Sequence, residues 1–202
     1  YGDCRGEIVE ETRPTRALNA RTKLRVDAEQ QIRRWARCNG VLAGILRVPG
    51  IYAAERLPVE RLKKGTPAIV DAEDGYTNHI HADDLARCVV AALRHAQPNR
   101  IYHTVDDSRM KMGAYFDAVA REFALPLAPR VTRTEAKKVL SPLLLSFMNE
   151  SRRLDNRRMK KELKVLLRYP TVDAALEEIR PRDLSRSAEP ACASQRQMQL
   201  PL

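Results

Sequence analysis

Glycine is scarce in this sequence, with eight residues in 202. No group of them forms the Gly-x-Gly-x-x-Gly or Gly-x-x-Gly-x-x-Gly turn that lets a backbone approach a dinucleotide pyrophosphate. Cysteine is sparser still: Cys4, Cys38, Cys88 and Cys192 stand far apart with no Cys-x-x-Cys pair. That excludes a disulfide-stapled miniprotein and reads as free, reduced thiols in a cytoplasmic protein. Apolar runs such as Val41 to Leu46 and Leu143 to Leu145 fall far short of the ~20 residues that cross a bilayer. What remains is ordinary for a globular chain, 44% hydrophobic and 31% charged, which rules out wholesale disorder and collagen-like repeats. The length suits one domain, or one plus a small appendage.

The chain is basic, with 36 Lys and Arg against 26 Asp and Glu, a net charge of +10. Between Glu150 and Pro170, eight basic residues face three acidic ones, so that stretch carries half of the net charge. The rest is spread along helix-like segments without interleaved aromatics. This distribution favours a solvated face or an anionic small-molecule site over a nucleic-acid surface.

Periodicity and punctuation set out the elements. Leu24, Ala28, Ile32 and Trp35 recur at helical spacing between about Leu18 and Asn39, and Asn39-Gly40 ends the run. Val41 to Val48 reads as a buried strand closed by Pro49-Gly50. A short helix over Arg56 to Lys64, an extended Ala68 to Val70 and a helix over Ala82 to Ala96 follow. The last carries a stripe of Leu85, Ala86, Val89, Val90 and Leu93. Arg100 to Val105 alternates as a strand, and Met112 to Phe123 is a helix with Tyr115 inward. Thr132 and Glu135 form a capping box ahead of Ala136 to Leu140. Further helices are expected over Arg157 to Leu167, with Asn156 or Asp155 as cap, and from Thr171 through Ile179. Residues 1–16 read as loop and 181–202 as a flexible tail. The expected fold class is α/β: part of a doubly wound, Rossmann-like parallel sheet with a small helical C-terminal lobe. That lobe is expected mainly over 54–80 and 110–180.

Four segments, in order, carry a resemblance. Leu46-Arg47-Val48-Pro49-Gly50-Ile51-Tyr52 is similar to the Leu-Arg strand and Ile-Tyr-Gly-Pro loop of the extended short-chain dehydrogenase/reductase superfamily, the NAD-dependent epimerase/dehydratases. Asn78-His79-Ile80-His81-Ala82-Asp83-Asp84-Leu85-Ala86 resembles that family's Asn-x-Ile-His-Val-Asp-Asp-Leu-Ala segment. Tyr1-Gly2 resembles the end of its Ser-Ser-x-x-Val-Tyr-Gly strand. Ser151-Arg152-Arg153 through Glu162-Leu163 and Tyr169-Pro170 resembles its C-terminal segment, most like an atypical bacterial branch. The resemblance spans about residues 1–180 and implies that the Gly-rich half and a catalytic Ser or Thr precede Tyr1.

What the resemblance implies about a site follows residue by residue. The family's catalytic Tyr-x-x-x-Lys has a Glu four residues on. Glu29 anchors that match, placing Arg25 at the lysine position and Arg21 at the tyrosine position. An alternative register uses Lys23 and Asn19, and neither offers a tyrosine. Arginine gives up no proton at neutral pH, so Arg21 and Arg25 stand as fixed cations at the catalytic positions, or as exposed helix arginines. Val48, Pro49, Gly50 and Ile51, with Arg25, are the expected cofactor-binding residues for NAD or NADP. Ala53-Ala54 replaces the family's Gly-Pro after Tyr52. Asn78, Arg56 and Arg152 are the expected substrate-binding residues, for a small substrate such as a nucleotide-linked sugar. His79 and His81 lack a third ligand nearby, so no metal is expected; His81 and Trp35 read as buried structural residues. The implied function is an NAD(P)-dependent oxidoreductase or epimerase/dehydratase-like protein, with a homodimer among its allowed states and no membrane partner. The alternatives are a dinucleotide-binding sensor or scaffold and a basic nucleic-acid binder.

Overall fold

The computed structural model describes residues 1–179; the tail expected from residue 181, Cys192 included, lies outside them. Eight short strands and eight α-helices follow one another. They are β1 (Ile8–Val9), α1 (Ala20–Cys38), β2 (Ile45–Arg47), β3 (Gly50–Tyr52), α2 (Val59–Lys63), β4 (Ala68–Ile69), β5 (His79–His81) and α3 (Ala82–His95). Then come β6 (Ile101–His103), α4 (Met112–Glu122), β7 (Arg130–Val131), α5 (Arg133–Val139), α6 (Pro142–Met148), β8 (Arg153–Leu154), α7 (Arg157–Glu162) and α8 (Val172–Ile179). Every ladder is parallel: β1 with β8, β2 with β6, β3 with β5 and β4 with β7. The fold is therefore α/β as expected, built among the described residues from two-stranded parallel ladders rather than one wide sheet.

The strand expected over Val41 to Val48 divides. Only Ile45–Arg47 pairs with β6, in the register Ile45 with Ile101 and Arg47 with His103. The chain then crosses Pro49 and pairs again as β3 with β5, Gly50 opposite His79. Proline has no N–H for a ladder, so the handover between partners falls there. Two cores form around these strands, the smaller taking Leu46 from before the break and Ile51 from after it. One gathers Ile80, Cys88, Tyr102, Met159, Leu163 and Val165. The larger joins Tyr52, Ile69, Phe116, Val119, Leu140 and Leu176.

Local signals fix several boundaries. Asn19 caps α1 by accepting from the Thr22 amide at 2.9 Å, while the Asn19 amide donates to Thr22 Oγ1 at 3.3 Å, an arrangement worth about 1 kcal/mol. Gly40, at φ 65°, takes the left-handed turn that ends the run. The Thr132–Glu135 box is present, but it starts α5 at Arg133 rather than Ala136. Pro58 splits the helix expected from Arg56, leaving a 3-10 turn at Ala54–Arg56 and then α2. Ser141 caps α6, a helix the sequence reading did not include, with Pro142 in its first turn.

Other expectations need correction. The apolar stripe of α1 does not face a core: Leu24 is 70%, Ile32 50% and Trp35 57% exposed. The helix instead turns Glu29 and Ala36 inward; with about 100° per residue, the centre of the apolar stripe lies roughly a quarter turn around from them. In α3 the inward residues are Asp84 and Cys88, which leaves Val89, Val90 and Leu93 outward. Residues 1–16 are not all loop, since Ile8–Val9 pairs with β8. The helix expected to reach Leu167 stops at Glu162, because Lys164 adopts φ 57°. Cys4, Cys38 and Cys88 are free thiols. No helix among the described residues is long and apolar enough to cross a membrane.

This early helix end separates two leucines that one continuous helix would place on a common side. Leu163 is 1% exposed and Leu166 80%. Leu163→Ala is expected to destabilise the protein by about 2–5 kcal/mol and Leu166→Ala by no more than ~0.5 kcal/mol. Equal effects of both in urea denaturation would refute the boundary.

Candidate functional site

Arg21, Arg25 and Glu29 stand on one stripe of α1, spaced i, i+4 and i+8. Glu29 is docked on the sheet. Arg47 donates Nε to Glu29 Oε2 at 2.9 Å and Nη2 to Oε1 at 2.7 Å, the fork geometry that suits a carboxylate. Both side chains are less than one-fifth exposed. Arg47 also donates Nη1 to the Tyr1 hydroxyl, which meets His103 Nε2 at 2.5 Å. Beyond His103, Glu11 accepts from its backbone amide at 3.1 Å and faces Arg158 at 3.5 Å. A polar chain thus runs from α1 through β2 and β6 to α7.

At the other end of the stripe, the Arg21 guanidinium lies 4.7 Å over the ring of Phe147 in α6, a cation–π contact. Arg25, between these two anchored neighbours, is exposed. The alternative register is occupied differently, because the Asn19 side chain is the helix cap.

Val48 and Pro49 occupy the carboxyl end of β2 where the ladder changes partner, the kind of position where open parallel sheets leave a crevice for ligands. The Arg47 carbonyl accepts from Thr104 and the Gly50 amide donates to Asn78 O, both at 3.2 Å. A Cβ on Gly50 would meet the His79 ring at 3.2 Å, tighter than an ordinary contact, so a larger residue there would have to displace the ring. Ile51 follows within β3.

The expected substrate residues are not brought together equally. Asn78 is a clamp: its Nδ2 donates to Arg152 O at 2.9 Å and its Oδ1 accepts from Leu154 N at 2.8 Å, so both amide atoms hold β8. Arg152 turns toward Gly2 O and pairs with Glu150. Its neighbour Arg153 donates Nε to Gly6 O at 2.7 Å and covers the Tyr76 ring, so the two arginines have separate partners. Arg56 is exposed at the end of the 3-10 turn. His81 is buried and accepts from Asp83 N at 3.2 Å, capping α3. Among the described residues no three metal-ligating side chains converge. The sequence reading missed Phe147, Glu150 and the partner of Glu29. Only Arg47 left a signal, inside the Leu-Arg motif.

No family model and no curated protein matches this chain. Among solved structures, a functionally unknown conserved protein from Silicibacter pomeroyi DSS is 33% identical at a TM-score of 0.77, over 89% of this chain and 62% of that one. MoeE5 in complex with UDP-glucuronic acid and NAD is 16% identical at a TM-score of 0.68, over 94% and 62%. A human epimerase family protein with NADPH is 16% identical at a TM-score of 0.67, over 89% and 61%. The chain spans about 62% of the length of the first two structures.

Burial holds His79 and His103 neutral, each with its pKa lowered to about 4. The unfolded chain binds these protons more readily, so their contribution to stability is present above about pH 6.5 and is lost as pH falls toward 4. The Glu29–Arg47 pair is partly solvated, so Glu29→Gln is expected to cost about 2–3 kcal/mol, less than a fully buried pair. Adding Arg47→Met should recover part of that loss. A double variant no more stable than Glu29→Gln in denaturant titration would show that the charge pairing is not what docks α1.

Proposed function

We propose that this chain, which has the fold of the NAD-dependent epimerase/dehydratase and short-chain dehydrogenase/reductase structures, forms the nicotinamide-side wall and substrate lobe of an NAD(P)-dependent protein of epimerase/dehydratase type. The observation that carries the reading is the α1 stripe: Glu29 fixed on Arg47 and Arg21 on Phe147 leave Arg25 exposed between them. It is joined by the strand break at Val48 and Pro49, whose carboxyl-end position suits the nicotinamide end of a dinucleotide. The described residues fit that end of the cofactor; the pyrophosphate turn is not among them.

When bound, the dinucleotide supplies hydride transfer. The residues of this chain do the rest. Arg25 holds a ribose hydroxyl or phosphate oxygen as a fixed cation, and Gly50 lets the β3 backbone approach closely. Arg21 adds positive potential at the cleft without exchanging protons. Arg152, kept in place by Glu150, and Arg56 meet the anionic part of a small substrate, for which a nucleotide-linked sugar has the right chemistry. Asn78 acts by holding β8 rather than by direct contact. A second reading, a dinucleotide-binding sensor, is favoured by Arg21 resting on Phe147 where proton exchange would need a phenol.

Fluorescence titration with NADPH and NADH tests the first step. Arg25→Ala is expected to weaken binding about tenfold, equivalent to ~1.4 kcal/mol, while Arg25→Lys retains most of it. Failure of the full-length gene product to bind either dinucleotide would overturn the proposal. Binding with unchanged absorbance at 340 nm across sugars and aldehydes, and no epimerised product, would select the sensor.

A further inference from the structure

Five rings stack into a column where the two cores meet. Tyr115 of α4 lies on His79 at 4.2 Å, Tyr52 is edge-on to His79 and His81 at 6.1 and 5.3 Å, and Tyr169 lies 4.2 Å from His81. All five are buried. Beside the column sits Asp106, three residues beyond the end of β6 and 4% exposed. Its Oδ1 accepts from the Ser108 amide at 2.9 Å. Its Oδ2 is sealed from solvent and accepts no hydrogen bond, although the Tyr52 phenol faces the carboxyl group. The Tyr52 hydroxyl donates elsewhere, to Thr171 O at 3.5 Å.

A buried carboxylate beside a phenol that donates away from it is an unfavourable arrangement. A neutral carboxylic acid there is a favourable one, because the acid then supplies the hydrogen and the phenol oxygen accepts it. We propose that Asp106 and Tyr52 form a proton-operated latch between the sheet and the segment ahead of α8. With Asp106 protonated, its O–H donates to Tyr52 and the Tyr52 hydroxyl is directed at Thr171. On ionisation the proton passes to water in the adjoining cavity, and the Tyr52 hydroxyl turns to the carboxylate and leaves Thr171.

The surroundings support this exchange. A cavity of about 530 Å³ adjoins Asp106, with Asp107, Ser108, Asn156 and Arg109 also in its wall. From its own segment, Asp107 repels a charge on Asp106, but Asp107 is itself paired with Lys160 of α7. Tyr52 stands on the β3 side, and Tyr115 on the α4 side. His79 on β5 is neutral, and Asp84 on α3 has both oxygens filled by the Arg168 and Tyr169 amides. Arg153 and Arg157 also line the cavity, each bound to other partners. Burial pushes Asp106 up to about 7, against the hydrogen bond from the Ser108 amide and the nearby Tyr52 phenol dipole, which pull it down.

The segment that would respond hangs on the same few residues. Asp107 N donates to Pro170 O at 2.7 Å, Val172 N to Ser108 Oγ at 2.9 Å, and Ala175 N shares Thr171 O at 3.3 Å. Tyr52 also ends the strand that begins at Gly50, so the latch reaches the Val48–Ile51 loop. It stands whether or not that loop binds a dinucleotide.

The sign is definite. An acid raised from 3.8 to about 7 by folding contributes stability that is complete below pH ~4 and is lost as pH rises through 7. The test is carbon-detected NMR of the Asp106 carboxyl and Tyr52 Cζ, with the Ala175 amide as reporter, from pH 5 to 8.5. All three should follow one midpoint near pH 7. Asp106→Asn should flatten the Tyr52 and Ala175 curves. Tyr52→Phe, which keeps the ring but removes the hydroxyl that passes between the carboxyl and Thr171, should leave the Ala175 amide flat while Asp106 still titrates. An Asp106 midpoint below pH 5, or a Tyr52 signal that is flat in the wild type or still titrates in Asp106→Asn, would overturn the latch. So would an Ala175 amide that still follows the Asp106 midpoint in Tyr52→Phe.

Discussion

Pro49 is the constraint on which the architecture turns. A single extended stretch from Ile45 to Tyr52 contains a residue with no amide hydrogen, so it cannot keep one ladder throughout. It pairs with β6 before the proline and with β5 after it. Its side chains serve both cores: Leu46 and Ile51 pack with Tyr102 of β6 and Ile80 of β5 in the smaller, and Tyr52 joins the larger. The crevice at Val48, the close approach at Gly50 and the ring column below Tyr52 all follow from that change of partner.

The sequence displayed its helices better than its strands. Thr132 and Thr171 are side-chain caps, and caps act within a few residues of where they stand, so α5 and α8 were readable. Even so, α5 starts at Arg133, three residues earlier than expected, and the Asn19 cap of α1 was not recognised. Strands of two or three residues leave no periodicity. Ile8–Val9 and Arg153–Leu154 make a ladder only because the chain brings together positions 145 residues apart, with Ile8 opposite Arg153. The stripes on α1 and α3 were recognised as apolar, but which side of a helix packs is decided elsewhere. On α1 it is decided by Glu29 meeting Arg47, and on α3 by Asp84 holding two amides of a distant loop. In the site, residue types and spacing were legible while commitments were not. Asn78 looked free to meet a substrate until both of its amide atoms were accounted for.

The basic stretch between Glu150 and Pro170 changes meaning in the same way. Arg152 pairs with Glu150, Arg157 with Asp155 and Glu10, Lys160 with Asp107, and Arg168 with Glu178. Arg153 and Arg158 hold backbone carbonyls of Gly6 and Ile101. Much of the charge that stands out in the sequence thus fastens the C-terminal segment onto earlier parts of the chain. Each exposed pair is weak by itself, but together they fix where β8 and α7 lie. Net charge counted along a sequence overstates what is available to a partner.

Asn78 gives a chemical limit to how this molecule can age. Its amide holds one carbonyl and one amide of β8 at once, a donor and an acceptor on the same carbon. Hydrolysis of that amide would leave an aspartate of nearly the same size with no hydrogen to give. The oxygen facing Leu154 N would still be satisfied, but its twin would press negative charge against Arg152 O. The joint between β5 and the C-terminal strand therefore depends on one hydrogen given by this side chain and one received from the Leu154 amide, and a change that alters shape hardly at all would reverse half of it from attraction to repulsion.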